Sequence, residues 1–289
     1  MQKAQPKKKI HKAQSQHRPG LEYKMEPHPV YSSDTPGNSR LHNYKCIVTG
    51  GDSGIGRAVA IAFAKEGADV AILYLEHEEK DAQFTASMIH DAYQKKCILV
   101  PTNISKEVNC MRAILKIGRE FGHIDVLVNN AGMHYQHQNF LKITTSQLQE
   151  TFATNIFSMF WLTKAALPFM KEGGSIVNTT SVTAYRGSGA LIDYSATKGA
   201  IVSFTRSLSA NLIEKGIRVN GVAPGPVWTP LIASSFDANS VAKFGSDTPM
   251  KRPAQPCEIA PAYVFLASND ASYISGQIIH VNGGEIVNG

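Results

Sequence analysis

The chain has 289 residues and a mass of 31.4 kDa, with 43% hydrophobic and 18% charged side chains, which suits a globule with room for one large core. No apolar run reaches the roughly 18 residues that span a bilayer, so no membrane-spanning helix is expected. The formal charge of +6 sits in the first twenty residues, where Lys3, Lys7, Lys8, Lys9, Lys12 and Arg18 meet no Asp or Glu; the remaining body is close to neutral, and a solvated basic tail is expected rather than a nucleic-acid surface.

Residues 1–40 are rich in Pro, Gly, Ser, His and Lys without periodicity and read as an extended or disordered arm. They contain neither the apolar core of a signal peptide nor an Arg- and Ser-rich amphipathic pattern, so a cytoplasmic location is expected. Cys46, Cys97, Cys110 and Cys257 are scattered, with no Cys-x-x-Cys pair, and read as reduced thiols. No metal site is expected.

From residue 41 to residue 289, apolar strands alternate with helical patterns. Strands are expected at Tyr44–Thr49, Val70–Leu75, Cys97–Val100, Ile124–Val128, Ser175–Thr179, Arg218–Val222 and Gln277–Val281. Helices are expected at Ile55–Glu66, Asp81–Tyr93, Val108–Phe121, Thr145–Met170 (perturbed late by Pro168), Asp193–Lys215 and Glu258–Leu266. Residues 226–254 read as an irregular, mobile loop. Continuous apolar strands separated by helices imply a single α/β domain, with a doubly wound parallel sheet of about seven strands covered on both faces.

The first strand runs into Thr49-Gly50-Gly51-Asp52-Ser53-Gly54-Ile55-Gly56, which opens directly into a helix. Gly50, Gly54 and Gly56 allow turn conformations closed to other residues. They also let a pyrophosphate approach the backbone, and a helix amino terminus favours anions. A glycine-rich turn that binds nothing is the competing reading, and the position between first strand and first helix argues against it. Further along, Tyr194 and Lys198 stand four residues apart on one helix face. An ammonium beside a phenol favours the phenolate, so Lys198 is expected to lower the pKa of Tyr194. Such pairs are common on helix surfaces, and only their surroundings can make this one a reaction centre.

Thr49–Gly56, Asn129-Asn130-Ala131-Gly132, Asn155, Ser181, the Tyr194/Lys198 pair and Pro224-Gly225 follow in that order. Together they resemble the classical short-chain dehydrogenase/reductase family over about residues 41–289. The leader, with Pro19-Gly20-Leu21-Glu22, looks like that of bacterial glucose-dehydrogenase-like or general-stress oxidoreductases. The resemblance implies a Rossmann-type domain that binds NAD or NADP, and an alcohol dehydrogenase or carbonyl reductase. It implies that Tyr194 exchanges a proton at the substrate oxygen and Ser181 holds that oxygen. Lys198 would bind the nicotinamide ribose, and the Asn155 backbone would hold a water leading to Lys198. Coenzyme contacts are implied for Gly50, Asp52, Ser53, Gly54, Ile55 and Gly56, and for Asn129, Ala131 and Gly132. They are also implied for Pro224, Gly225, Val227 and Thr229 in the pattern Pro-Gly-x-Val-x-Thr.

At the adenine end the corresponding positions are Tyr74, Leu75 and Glu76 after the second strand, and Asn103-Ile104 after the third. Asn103 replaces the usual Asp, and its carbonyl oxygen is expected to reach the adenine amino group. Ser53 stands where NADP-preferring relatives carry Arg, and Asp52, Glu76, Glu78 and Glu79 disfavour a 2′-phosphate. NAD is therefore the expected coenzyme, with NADP the alternative. In the loop, Leu231, Ile232, Phe236 and Phe244 either line an apolar substrate pocket or pack the loop down, and His134, Tyr135 and His137 stand within reach of a small-molecule substrate. A homotetramer is implied. The rival from another class is a coenzyme-binding sensor or scaffold without turnover.

Overall fold

The structure is a computed structural model that describes residues 7–287; Lys3 and the rest of the expected arm before residue 7 lie outside the described residues. In chain order it contains β1 (Lys45–Thr49), α1 (Gly54–Lys65), β2 (Asp69–Tyr74), α2 (Glu79–Tyr93), β3 (Cys97–Pro101), α3 (Glu107–Phe121) and β4 (Ile124–Asn129). Next come α4 (Thr145–Phe152), α5 (Ser158–Ala166), β5 (Met170–Thr179), α6 (Thr183–Arg186), α7 (Ile192–Leu212) and β6 (Arg218–Pro224). Last are α8 (Pro230–Ser235), α9 (Ala238–Ala242), α10 (Pro256–Ala267) and β7 (Ile278–Val281).

The strands form one parallel sheet in the order β3-β2-β1-β4-β5-β6-β7. Successive side chains go to opposite faces, as the pleat requires. Cys46, Val48, Val70 and Ile72 join the core under α1, α2 and α10. Ile47, Ala71, Leu73 and Leu127 join the core under α3, α5 and α7. Burial on both faces explains why these strands are continuously apolar rather than alternating. The strand order reverses between β1 and β4, so their carboxyl ends, Thr49 and Asn129, open onto a shared crevice.

Two sequence expectations are corrected. The helix expected over Thr145–Met170 is broken: a π-helical turn covers Ala153–Phe157, a 3-10 turn covers Leu167–Phe169, and Met170 already belongs to β5. Pro168 cannot donate to a continuing helical ladder, and Met170 pairs with Ile124 in the sheet. Residues 226–254 are not irregular throughout, since they hold α8 and α9, with Asp237 accepting from the amides of Asn239 and Ser240 at the start of α9. Among the described residues no helix is long and apolar enough to cross a membrane.

Residues 7–40 form little regular structure beyond a 3-10 turn at Glu22–Lys24 and lie across the body. The amides of Ile10 and His11 donate to the carbonyl of Ala242 and that of Gln16 to the carbonyl of Ala233. Met25 is fully buried in a cluster with Trp228, Ile232 and Val241, and the Trp228 indole donates to the carbonyl of Pro27 at 2.9 Å. Trp228 also stacks on His11 at 4.1 Å. Met25→Ala is expected to lower the stability measured by urea denaturation by about 2–4 kcal/mol, as for other buried methionines. An unchanged midpoint would mean that the arm does not pack there in solution.

Candidate active site

The turn between β1 and α1 takes its shape from its glycines. Gly50 and Gly54 have φ of +63° and +54°, which side-chain-bearing residues rarely adopt. At Gly56 a Cβ would lie 1.8 Å from the Gly50 carbonyl oxygen, so the helix can start this close to the strand only without a side chain. The neighbouring turn after β4 is held to β1 by Thr49, whose hydroxyl accepts from the amides of Asn130 and Ala131 at 2.9 Å each. The Asn130 amide group donates to the Thr49 carbonyl at 3.0 Å. Beneath it, Asn129 donates to Asn178, which donates to Thr205, a buried polar chain linking β4, β5 and α7.

Behind the glycine turn lies a buried ionic cluster. The Arg57 Nε donates to the Asp52 carbonyl at 2.8 Å and to the Thr85 hydroxyl at 2.9 Å. Its other nitrogens reach Asp81, at 3.0 Å, and the Glu22 carboxylate. Glu22, delivered by the arm, also accepts from the Gly54 amide at 2.6 Å. The faces of Tyr31 and Phe84 lie within 5.5 and 5.0 Å of the guanidinium and cover it.

At the adenine side, Tyr74 is buried and its hydroxyl donates to Glu79 at 2.5 Å. The Glu78 carboxylate folds back to accept from the Leu75 amide at 2.9 Å. Burial pushes Asp52 up to about 6 and Glu78 up to about 8. The repulsion expected here from Glu78 is therefore weaker at neutral pH than its formal charge implies, while Asp52 remains mostly ionised. Glu76 is exposed. Asn103 is a further correction: its carbonyl oxygen accepts from both the amide and the hydroxyl of Ser105, at 3.0 and 2.7 Å. Both lone pairs are thereby committed locally, and none is left for an adenine amino group. Ile104 is buried, its carbonyl accepting from the Cys110 thiol.

Ser181, Tyr194, Lys198 and Asn155 converge at the carboxyl edge of β4 and β5. Asp193 opens α7 by accepting from the Tyr194 amide and binds Gln147 and Thr151 of α4, fixing the helix that carries the pair. The Ser181 hydroxyl stands near enough to the Tyr194 phenol to oppose the upward shift of its pKa and accepts from the Thr183 amide at 3.1 Å. Lys198 is 2% exposed, and its ammonium donates to the Thr179 carbonyl at 2.9 Å. Asn155 lies in the π-helical turn, and its side chain exchanges two 2.8 Å bonds with the Met133 backbone and donates to Thr197. Gly132 sits between them: a Cβ there would be 3.4 Å from the Asn155 oxygen and 3.6 Å from the Lys198 nitrogen.

The Tyr194 pKa is raised in this arrangement, where the sequence led to the expectation of a lowered one. Tyr194 keeps some exposure to the cleft, yet protein surrounds its hydroxyl deeply enough that desolvation pushes it up to about 12. Burial also drives Lys198 down to about 7. Its nitrogen lies 5.3 Å from the phenol ring centroid and is bonded to Thr179 instead of to the phenol oxygen.

These residues line a cleft of about 750 Å³ that runs from Tyr74, Leu75 and Asn103 past the glycine turn to Ser181 and Tyr194. Leu231, Ile232, Phe236 and Phe244 all line it, while Ile232 also packs on Met25 and Trp228, so the loop residues do both things weighed from the sequence. Thr229 lies against the glycine turn, its Cγ2 3.1 Å from where a Gly54 Cβ would be, and Val227 bridges to Ala254. Gly225 packs against the backbone of Asn282. His134 is 3% exposed, its ring edge-to-face with Tyr194 at 5.1 Å and with Phe236 at 5.4 Å. Burial and the nearby cations hold it at about 3, so it is neutral. Tyr135 carries the Arg18 guanidinium over its ring at 3.8 Å, and His137 pairs with Gln147 at 2.6 Å.

The sequence reading passed over Arg57 and gave Glu22 no role. A lone arginine in the apolar helix Gly54-Ile55-Gly56-Arg57-Ala58-Val59-Ala60 was the available signal, since a charge there needs a buried partner.

A family model described as enoyl-(acyl carrier protein) reductase matches residues 50–285. The chain is 52% identical over 282 residues to NADPH-dependent aldehyde reductase 1, chloroplastic, of Arabidopsis thaliana, covering 95% of this chain and 98% of that protein. It is 52% identical over 277 residues to the glucose and ribitol dehydrogenase of Daucus carota, covering 94% and 95%. Among solved structures, a short chain dehydrogenase from Burkholderia cenocepacia J2315 in complex with NADP superposes with a TM-score of 0.79 at 30% identity, covering 85% of this chain and 98% of that one. Gly56→Ala is expected to weaken coenzyme binding at least about tenfold by titration calorimetry, because its Cβ meets backbone that cannot yield cheaply. Wild-type affinity in that variant would mean that the turn is looser than drawn.

Proposed function

The chain belongs to the short-chain dehydrogenase/reductase family, and on that premise we propose that it interconverts an alcohol and an aldehyde or ketone with a nicotinamide coenzyme. The observation that carries this reading is that Ser181, Tyr194 and Lys198 line one end of a cleft that also runs along the glycine turn, with Asn155 bonded to the Met133 backbone behind them. The residues fit a dinucleotide. The turn has backbone where side chains would collide, and after Gly54, whose amide is taken by Glu22, the next amides of α1 have no partner within the helix and suit a pyrophosphate. Lys198 and Asn155 flank the side-chain-free Gly132.

When bound, the coenzyme supplies or accepts the hydride. Ser181 donates to the substrate oxygen and holds it beside Tyr194. The Tyr194 hydroxyl gives its proton to that oxygen in reduction and takes it back in oxidation. Lys198, held by the Thr179 carbonyl, is placed to compensate the charge that develops on the phenol oxygen. Asn155 anchors the Met133 backbone, which fixes the loop bearing His134 on the substrate side of Tyr194. Since His134 is neutral, it offers a hydrogen bond and no charge, and the lid adds apolar surface. An uncharged aldehyde, sugar or polyol fits such a pocket, in keeping with the activities named for the Arabidopsis and carrot relatives.

Tyr194→Phe keeps the ring packing and removes the proton. It is expected to lower kcat/KM at least about a thousandfold in a 340 nm assay with a panel of aldehydes, sugars and polyols. A folded variant with near wild-type turnover would overturn the proposed chemistry. A wild-type protein that binds coenzyme but turns over no member of the panel would favour a sensor or scaffold.

For the coenzyme we propose a preference for NAD. The Arg57 guanidinium is committed to Glu22, Asp81, Asp52 and Thr85, and Glu78 stands in the cleft wall beside Tyr74, while Arg112 and Lys116 line an adjoining pocket with Leu75, Glu76 and His77. Here the chain would depart from the relative named for NADPH. The ratio of kcat/KM for NADH over NADPH is expected to exceed about ten, since a bidentate Arg–phosphate contact is worth more than 1.4 kcal/mol. A ratio below one would overturn the preference.

A further inference from the structure

The family model begins at residue 50, yet the arm before it supplies a carboxylate to the glycine turn. We propose that Glu22 is a positioning residue for coenzyme binding: it grips the Gly54 amide and the Arg57 side chain, and so fixes the turn whose remaining amides face the pyrophosphate. The proposal rests on the reading of the glycine turn as the coenzyme site.

Three observations carry it. Glu22 is 2% exposed and makes two bonds into the turn, one to the Gly54 amide at 2.6 Å and one to the Arg57 guanidinium. Its backbone is held as well, the Glu22 amide donating to Asp81 at 3.0 Å, and Asp81 binds Arg57 in its turn. Gly20, two residues earlier, lies so close to the Pro230 carbonyl that a Cβ would come within 2.2 Å of its oxygen, and Arg18, Pro19 and Gly20 form part of the cleft wall. The arm therefore runs from the lid helices α8 and α9, which bond Gln16 and Ile10, directly to the turn.

The electrostatics are consistent with an anion binding on the far side of the turn. A free carboxylate at the amino terminus of α1 would repel a pyrophosphate. Here the guanidinium neutralises it, and burial raises Glu22 to about 7, so its net charge beside the turn is small. The Gly54 bond survives either protonation state, because a carboxylic acid still presents an acceptor oxygen. The turn gains a fixed shape without a second full negative charge.

The test is coenzyme affinity, measured by titration calorimetry on the full chain, with melting temperature recorded alongside. Glu22→Ala is expected to weaken binding about tenfold, the loss of one charge-assisted bond of about 1.4 kcal/mol. Glu22→Gln retains the acceptor for Gly54 and is expected to stay within about threefold of wild type. Should Glu22→Ala fail to fold, Glu22→Asp, whose carboxylate is withdrawn by one carbon, takes its place with the same expectation. A folded Ala or Asp variant that binds coenzyme as the wild type does, or equal weakening in Gln and Ala that follows the loss of melting temperature, would overturn the proposal. If the wild-type chain itself binds neither NAD nor NADP, the coenzyme reading fails first, and the two failures are told apart.

Discussion

One guanidinium organises the site. Arg57 stands on the first turn of α1 with 2% exposure, and each of its nitrogens has a partner from a different stretch of chain. Those stretches are the glycine turn through the Asp52 carbonyl, α2 through Thr85 and Asp81, and the arm through Glu22. A buried arginine cannot shed its proton, so the fold must bring acceptors to it. Removing one partner of such a cluster costs about 3–5 kcal/mol, which binds the loop geometry, the position of α2 and the docking of the arm into one requirement. Gly50 and Gly54 make the turn sterically possible, and Arg57 holds it in one of the shapes that glycine permits.

The reacting end obeys the opposite logic. The side chains of Ser181 and Lys198 are held by neutral partners, the Thr183 amide and the Thr179 carbonyl, and among the described residues no carboxylate is bonded to the side chain of Ser181, Tyr194 or Lys198. Burial then penalises each charged form separately, which is why the phenol lies near 12 and the ammonium near 7. Ionising the phenol alone at neutral pH would cost on the order of 7 kcal/mol. Ionising it opposite a charged lysine costs less, since each charge stabilises the other where water is scarce. The pair is therefore suited to move a proton when a negative oxygen develops in front of it, with the phenol neutral otherwise.

The parts legible in the sequence were those fixed by short-range rules. The seven strands followed from apolar runs, the glycine turn from its position, and the Tyr194/Lys198 face from helical spacing. What escaped reading depended on contacts between distant segments. Asn103 looked available for a base because Ser105, two residues on, was not considered as a competing donor. The π-helical turn at Ala153–Phe157 has no composition of its own; it coincides with Asn155 reaching out to Met133, 22 residues away. The arm over residues 1–40 was read by composition as extended or disordered, and what composition did not show is that Met25 and Glu22 are among the most buried residues of their types. Two anchors in a polar stretch do not produce a periodic signal.

The glycine turn and its ribose side also concentrate an electrostatic cost. Glu22, Asp52 and Glu78 all have pKa values raised by burial, to about 7, 6 and 8. A carboxyl that holds its proton more tightly when folded contributes stability at low pH and loses it as pH rises. For these three the loss begins near the ordinary carboxylate range of about 4 and is complete only above each folded value. Pairs such as Arg40–Glu66, whose carboxylate is buried, and the partly exposed Lys45–Asp69 act with the opposite sign, since their carboxyls are lowered. Neutral pH is thus where the body of the fold is favoured and the turn is disfavoured. Arg57 is what allows both in one domain, because it is the only cation in direct contact with Glu22 among the described residues and it also holds Asp81 and the Asp52 carbonyl.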